Sequence, residues 1–113
     1  MRYKKIILLN EETGLEKTSS RFGIPLGSRI HSWQIKIEAP EGEPKTFTAS
    51  LQGIINGVDW YNIDTFTMTE GKESGETRFI EDVVVDTIRA TYTMTKNNPD
   101  SIIKVSIYYI GAI

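Results

Sequence analysis

Apolar and polar residues alternate in segment after segment of this chain, and no stretch holds a convincing helical period. Over residues 46–53, Phe47, Ala49 and Leu51 are apolar while Thr46, Thr48, Ser50 and Gln52 are polar. That is the signature of a strand with one buried face, because successive side chains leave a pleated backbone on opposite sides. Gly53, Ile54 and Ile55 follow, then Asn56-Gly57, a pair that tolerates the positive φ of a tight reversal, so a hairpin is predicted here. Asp59 and Asn62 complete the turn in this reading. Trp60 re-enters the core at the start of the return strand, and Ile63, Phe66 and Met68 lie further along it.

The same reading extends along the chain. Residues 2–9 form a first strand whose lysines blunt one end against unwanted strand addition. Residues 10–29 loosen into a long connection anchored by Phe22, Ile24 and Leu26. Pro25 bars it from a central strand, so residues 21–26 are expected as a short edge strand or as part of an extended arm that orders against a neighbouring subunit. Residues 30–39 are the cleanest strand, with Trp33, Ile35, Ile37 and Ala39 on one side and Gln34, Lys36 and Glu38 on the other. His31 shares the apolar phase and is expected to be a structural hydrogen-bonder. Pro40, Gly42 and Pro44 mark a turn. The charged, glycine-bearing stretch 70–76 reads as a surface loop, and 78–85 as a β-branched run that changes sheets or passes through a bulge. Alternation returns with Ile88, Ala90, Tyr92 and Met94 inward, and again with Ile103, Val105, Ile107 and Tyr109.

Seven or eight strands separated by turn signals suit an all-β, two-layer antiparallel β-sandwich of jelly-roll or immunoglobulin-like type. A small barrel is the alternative, disfavoured by the strand number. The 113 residues fit a single domain spanning 1–113, with a possible extended arm at 10–29. A chain of this length buries roughly two thirds of its unfolded surface, enough for a core without covalent staples.

Composition narrows the chemistry. With no cysteine and one histidine, there is neither a disulfide framework nor a thiolate or two-histidine zinc site. The net charge of −2 arises from thirteen basic and fifteen acidic residues spread along the chain, without the positive footprint that nucleic acid requires. The basic start followed by residues 6–9 superficially suggests a secretion signal, but the apolar run is too short and Asn10, Glu11 and Glu12 follow at once. No segment approaches the roughly twenty apolar residues that cross a bilayer.

No catalytic constellation stands out. Glu81 and Asp82 are adjacent and point to opposite faces, while Asp82 and Asp86 share a face with no cleft implied around them. Calcium could meet the oxygen-rich turns at 56–59 and 97–100, but neither follows a dedicated loop pattern, and hydrogen bonding within the turn explains both. The expectation is therefore no enzyme, no cofactor and no metal. Tyr61 and Tyr108, out of phase with the core, are the candidates for an outer aromatic surface, read as a protein interface before a sugar platform. Trp33 and Trp60 are read as core. Apolar residues on the wrong faces or at strand ends point the same way: Ile54 and Ile55 at the hairpin tip, Ile102, Ile110 and Ile113. With the arm anchors, the candidate interface set is Phe22, Ile24, Leu26, Ile54, Ile55, Tyr61, Tyr108 and Ile110.

The stretch SLQGIINGVDWYNID, followed by TIRATYTM and a closing IIKVSIYYIG, resembles a pattern of small β-sandwich virion proteins encoded by tailed phages and prophages. There, a strand of the form LxGSxDGxxWxxL precedes xRAxxT and a last strand. Its first part is also similar to the discoidin sandwich. Leu51, Gly53, Asn56-Gly57 and Trp60 match, with Ile54 and Asn56 in place of the usual serine and aspartate, and Ile88-Arg89-Ala90 matches the second block. The resemblance covers the C-terminal two-thirds and rests on scaffold positions. It implies a non-enzymatic virion structural protein, foremost a capsid auxiliary or decoration protein, or else a neck, tail or head-fibre component. Its partners would be other virion proteins in a homo- or hetero-oligomer, its location the virion. The discoidin likeness implies a carbohydrate-binding, lectin-like module as the alternative, with a glycan as the ligand.

Overall fold

The computed structural model of the chain describes residues 3–24, 30–54, 58–69, 74–81 and 85–112. Nine strands lie among the described residues: β1 (Tyr3–Glu12), β2 (Glu16–Thr18), β3 (Phe22–Gly23), β4 (Ile30–Glu38), β5 (Thr46–Ile54), β6 (Tyr61–Thr69), β7 (Ser74–Glu81), β8 (Thr87–Thr95) and β9 (Lys104–Ala112). The first sheet has the order β1-β9-β4-β7 and the second β2-β8-β5-β6, with β3 also on β8. All pairings are antiparallel. Since β2 and β3 occupy the same side of β8 in succession, they act as one interrupted edge strand. Counted so, the chain changes sheet at every connection except β5 to β6. The fold is the expected two-layer antiparallel sandwich, and this path is that of a jelly roll.

The inward residues read from the alternation are the core. Trp33, Ile35, Phe47, Leu51, Ile88, Ala90, Ile103, Val105 and Ile107 are fully buried, and Phe47 stacks on Tyr92 with ring centroids 5.7 Å apart. Two irregularities redirect side chains. In β1 the register against β9 shifts on both sides of Leu9, which turns the consecutive Leu8 and Leu9 both inward. Glu11 sits there at φ 49°, and its N–H donates to the Ser106 hydroxyl at 2.9 Å, satisfying a serine that is itself buried. In β6 the register shifts between Leu51 and Gln52, leaving Ile63 as the extra residue. That slip moves Asn62 out of the inward phase of Asp64, Phe66 and Met68 and into the outer row of Gln52.

Several boundaries differ from the alternation-based reading. β1 runs on to Glu12, because pairing with β9 continues past the apolar run. Residues 74–76, expected in a loop, belong to β7, where Ser74, Gly75 and Glu76 pair with Ile37, Lys36 and Ile35. A charged edge strand is held by its backbone and needs no apolar stripe. The β5–β6 pairing predicted for the hairpin is present, but its ladder closes at Gly53 and Tyr61, so the connection is longer than a two-residue turn. Asn56 and Gly57 themselves lie outside the described residues. At the 40–44 turn the Glu43 N–H donates to the Pro40 carbonyl at 3.1 Å, and Gly42 takes φ 83°, a conformation that favours a residue without a Cβ.

Over its described part, the 10–29 segment is stitched to this chain's own β8. The Met94 N–H donates to the Leu15 carbonyl, the Ser19 N–H to the Ala90 carbonyl and the Ile24 N–H to the Asp86 carbonyl, each at 2.8 Å. Tyr92 Oη donates to the Gly14 carbonyl at 2.7 Å. Its described residues thus form a sheet edge.

Candidate functional site

The outer face of the first sheet carries an apolar patch. β1, β9 and β4 lie side by side, with Ile7 opposite Tyr108, and Ile110 between Lys5 on one side and Ser32 on the other. Ile7 is 52% and Ile110 41% exposed, Tyr108 is half-buried, and Ile30 at the start of β4 is also exposed. Directly opposed residues and their diagonals are within side-chain reach on one face of a sheet, so Ile7, Tyr108 and Ile110 form one surface. The Lys5 ammonium lies 5.2 Å from the Tyr108 ring centroid, giving the patch a cationic border. Two of the residues expected at an interface, Tyr108 and Ile110, are thus brought together. Ile7 sits inside the continuous apolar run of residues 6–9, which has no alternation to mark it as outward.

The second sheet's outer face has a different character. The register across β8, β5 and β6 sets Thr95, Thr46 and Thr69 in one row, Thr93, Thr48 and Thr67 in the next, then Thr91, Ser50 and Thr65, and finally Arg89, Gln52 and Asn62. Cross-strand hydroxyl pairs link Thr46 with Thr95 at 2.6 Å and Ser50 with Thr65 at 3.1 Å. In the last row Arg89 Nε donates to Gln52 Oε1 at 2.7 Å, and Gln52 Nε2 donates to Asn62 Oδ1 at 2.9 Å. Beside it stands Trp60, half-buried and not in the core as its spacing suggested. The Arg89 guanidinium lies 4.1 Å and that of Arg21 5.4 Å from its ring centroid. Burial, and then the charge of Arg21, lower the Arg89 pKa. The long β5–β6 connection, with the register slip beyond it, takes the indole out of the phase on which its reading as core rested.

The remaining candidates are dispersed. Ile24 is 8% exposed and part of the core, and Phe22 packs half-buried against it. Ile54 is 1% exposed, not a tip residue open to solvent, because β5 continues to pair with Thr87 and the Ile54 carbonyl accepts from the Asp86 N–H at 3.1 Å. Leu26, Ile55 and Ile113 lie outside the described residues. Tyr61 is 58% exposed but belongs to β6, so it shares no face with Tyr108 in β9. Ile102 is exposed just before β9.

Several of the chemical candidates have hydrogen-bond partners within the fold. His31 is buried and its Nδ1 lies 2.5 Å from the Tyr109 hydroxyl, whose pKa burial pushes up to about 12. Asp86 accepts from the Thr87 hydroxyl at 2.8 Å, while Asp82 lies outside the described residues. At the 97–100 turn the Asp100 N–H donates to Asn98 Oδ1 at 3.0 Å, and the buried Glu43 carboxylate accepts from the Asn97 N–H at 2.7 Å. Among the described residues no group of three His, Cys, Asp or Glu could hold a metal ion.

No family model and no curated protein matches the sequence. Solved structures do match in fold. The CBM36-1 domain of a multidomain xylanase from the hindgut metagenome of Trinervitermes trinervoides superposes with a TM-score of 0.55 at 10% identity, covering 99% of this chain and 98% of that one. A chain from the structure of infectious bursal disease virus, Gx strain, gives 0.59 at 12% identity, covering 99% of this chain but only 32% of the viral one. A chain of Bacillus endospore appendages, described as disulfide-linked pili, gives 0.50 at 11% identity over 97% and 85%. Likeness at these identities establishes the sandwich fold alone.

Proposed function

We propose that this chain is a non-enzymatic structural protein of a phage virion, foremost a capsid auxiliary or decoration protein, that acts by docking the outer face of its first sheet onto neighbouring virion subunits. The apolar surface of Ile7, Tyr108 and Ile110 carries this reading. Exposed aliphatic side chains grouped across adjacent strands with an aromatic residue are what a protein interface buries. The resemblance of the 50–64 and 87–94 segments to phage sandwich proteins supports the same role, and so does a fold shared with a viral chain and with a pilus subunit. The absence of cysteine sets aside disulfide linkage between subunits, so assembly would rest on non-covalent burial.

Density-gradient purification of assembled particles from cells expressing the chain tests the role. Retention of the chain at a fixed ratio to the major subunit is expected. Its complete loss at the first gradient, under low-salt conditions that keep the particles intact, would overturn the reading.

A further inference from the structure

We propose that the Trp60 end of the second sheet's outer face is a binding site for an anionic saccharide, a carboxylate-bearing sugar chain held by Arg21 and Arg89 against the indole and extending over the hydroxyl rows. The site is on the opposite sheet from the Ile7 patch and does not depend on the virion role.

The starting observation is two cations gathered on one ring. Arg21, from the β2–β3 connection, and Arg89, from β8, both lie within cation–π range of Trp60. Among the described residues the ion pairs are Lys36 with Glu38 and Arg78 with Asp64, so neither of these guanidiniums meets a carboxylate. Like charges brought together without a counter-charge repel, and an anion placed between them relieves that repulsion. Arg89 uses Nε on Gln52, an uncharged amide that is itself fixed by Asn62. The side chain is therefore oriented, and among the described residues no hydrogen bond engages its two terminal amino groups, the fork that matches a carboxylate.

The surroundings favour a sugar over a bare carboxylate. The Trp60 ring, with the Arg89 guanidinium over it, fixes that cation at the head of the hydroxyl rows. Beyond the Arg89 row, the rows at Thr91, Thr93 and Thr95 repeat every second residue, roughly 7 Å apart, and consist of serine and threonine. A hydroxyl has one donor and two acceptor sites, so the exposed pair Thr46–Thr95 keeps capacity for a polyhydroxylated chain. The acidic side chain of another protein would use the arginines alone and gain nothing from those rows.

Titration calorimetry of the full chain with a defined oligouronate, a neutral oligosaccharide of equal length and a short polyglutamate tests the site. Saturable oligouronate binding is expected, weakened by added salt, with little or none for the other two. Arg89→Gln and Arg21→Gln should each weaken it about tenfold, the effect of losing one charge-assisted contact. Arg21 is exposed, so its variant keeps the test valid if replacing Arg89 disturbs folding. Trp60→Ala should weaken it comparably. No oligouronate binding, binding indifferent to all three substitutions, or equal binding of polyglutamate would each overturn the proposal.

Discussion

The Trp33 indole N–H reaches across from the first sheet to the second and donates to Asp64 Oδ2 at 2.8 Å. Arg78, the residue paired with Trp33 on β7, donates to the same carboxylate through Nε at 2.5 Å and Nη2 at 3.1 Å. The β6–β7 edge of the sandwich is thereby closed by a carboxylate that faces inward. Burial alone would raise the Asp64 pKa, but the Arg78 and Trp33 hydrogen bonds and the Arg78 charge outweigh it and hold the group below its ordinary value.

Replacing Asp64 should therefore destabilise the fold in a pH-dependent way. A carboxyl with a depressed folded pKa contributes stability that is present above its unfolded value of about 3.9 and is lost as pH falls through the folded value. Asp64→Asn keeps an acceptor for Trp33 and loses the charge toward Arg78. It should cost about 1–3 kcal/mol at neutral pH, the difference from wild type shrinking below pH about 4 in urea titrations. A constant difference across that range would contradict the role of the charge.

Gly53 illustrates a constraint of space. A Cβ at that position would lie 2.6 Å from both Ile63 Cδ1 and Val85 Cγ1, in a part of the core where the β6 bulge and the entry to β8 converge. Gly53→Ala should cost about 1–3 kcal/mol through overpacking, measured by chemical denaturation. Ile63→Val in the same chain should recover part of it.

The buried tyrosines predict alkaline behaviour. Burial raises Tyr92 and Tyr109 to about 12, with Glu12 adding to the shift at Tyr92. A raised folded pKa gives stability that is complete below the unfolded value of about 10 and is lost as pH rises toward 12. The phenolate absorbance that Tyr92 and Tyr109 contribute, read as the part lost in a Tyr92→Phe, Tyr109→Phe variant, should therefore grow in step with loss of near-ultraviolet circular dichroism in that window. Tyr109→Phe, which takes the hydroxyl from His31 Nδ1, should cost about 1–2 kcal/mol at neutral pH.

How far the sequence spoke depended on whether a strand was held by side chains or by backbone. β4, β5, β8 and β9 could be read because Trp33, Phe47, Ile88 and Val105 head alternating apolar sets that the structure buries. β2 could not, since Glu16, Lys17 and Thr18 are all exposed and are held by pairing to β8. The start of β7, without an apolar alternation in its sequence, is likewise held by pairing, there to β4. Trp60 reads as core because it is in phase with apolar neighbours, yet a long connection and a register slip place it at a surface row with Arg89. The patch was half legible: Tyr108 and Ile110 stood out as apolar residues at polar positions, whereas joining them to Ile7 required knowing that β1 lies beside β9.

The docking role stands or falls on the first sheet's outer face. The direct measurement is a co-sedimentation isotherm on assembled particles, comparing wild type with the double variant Ile7→Lys, Ile110→Lys, whose substituted side chains leave the core untouched. Saturable binding that the variant loses by roughly tenfold or more, with its thermal midpoint unchanged, is the predicted result. Equal binding of wild type and variant would contradict it.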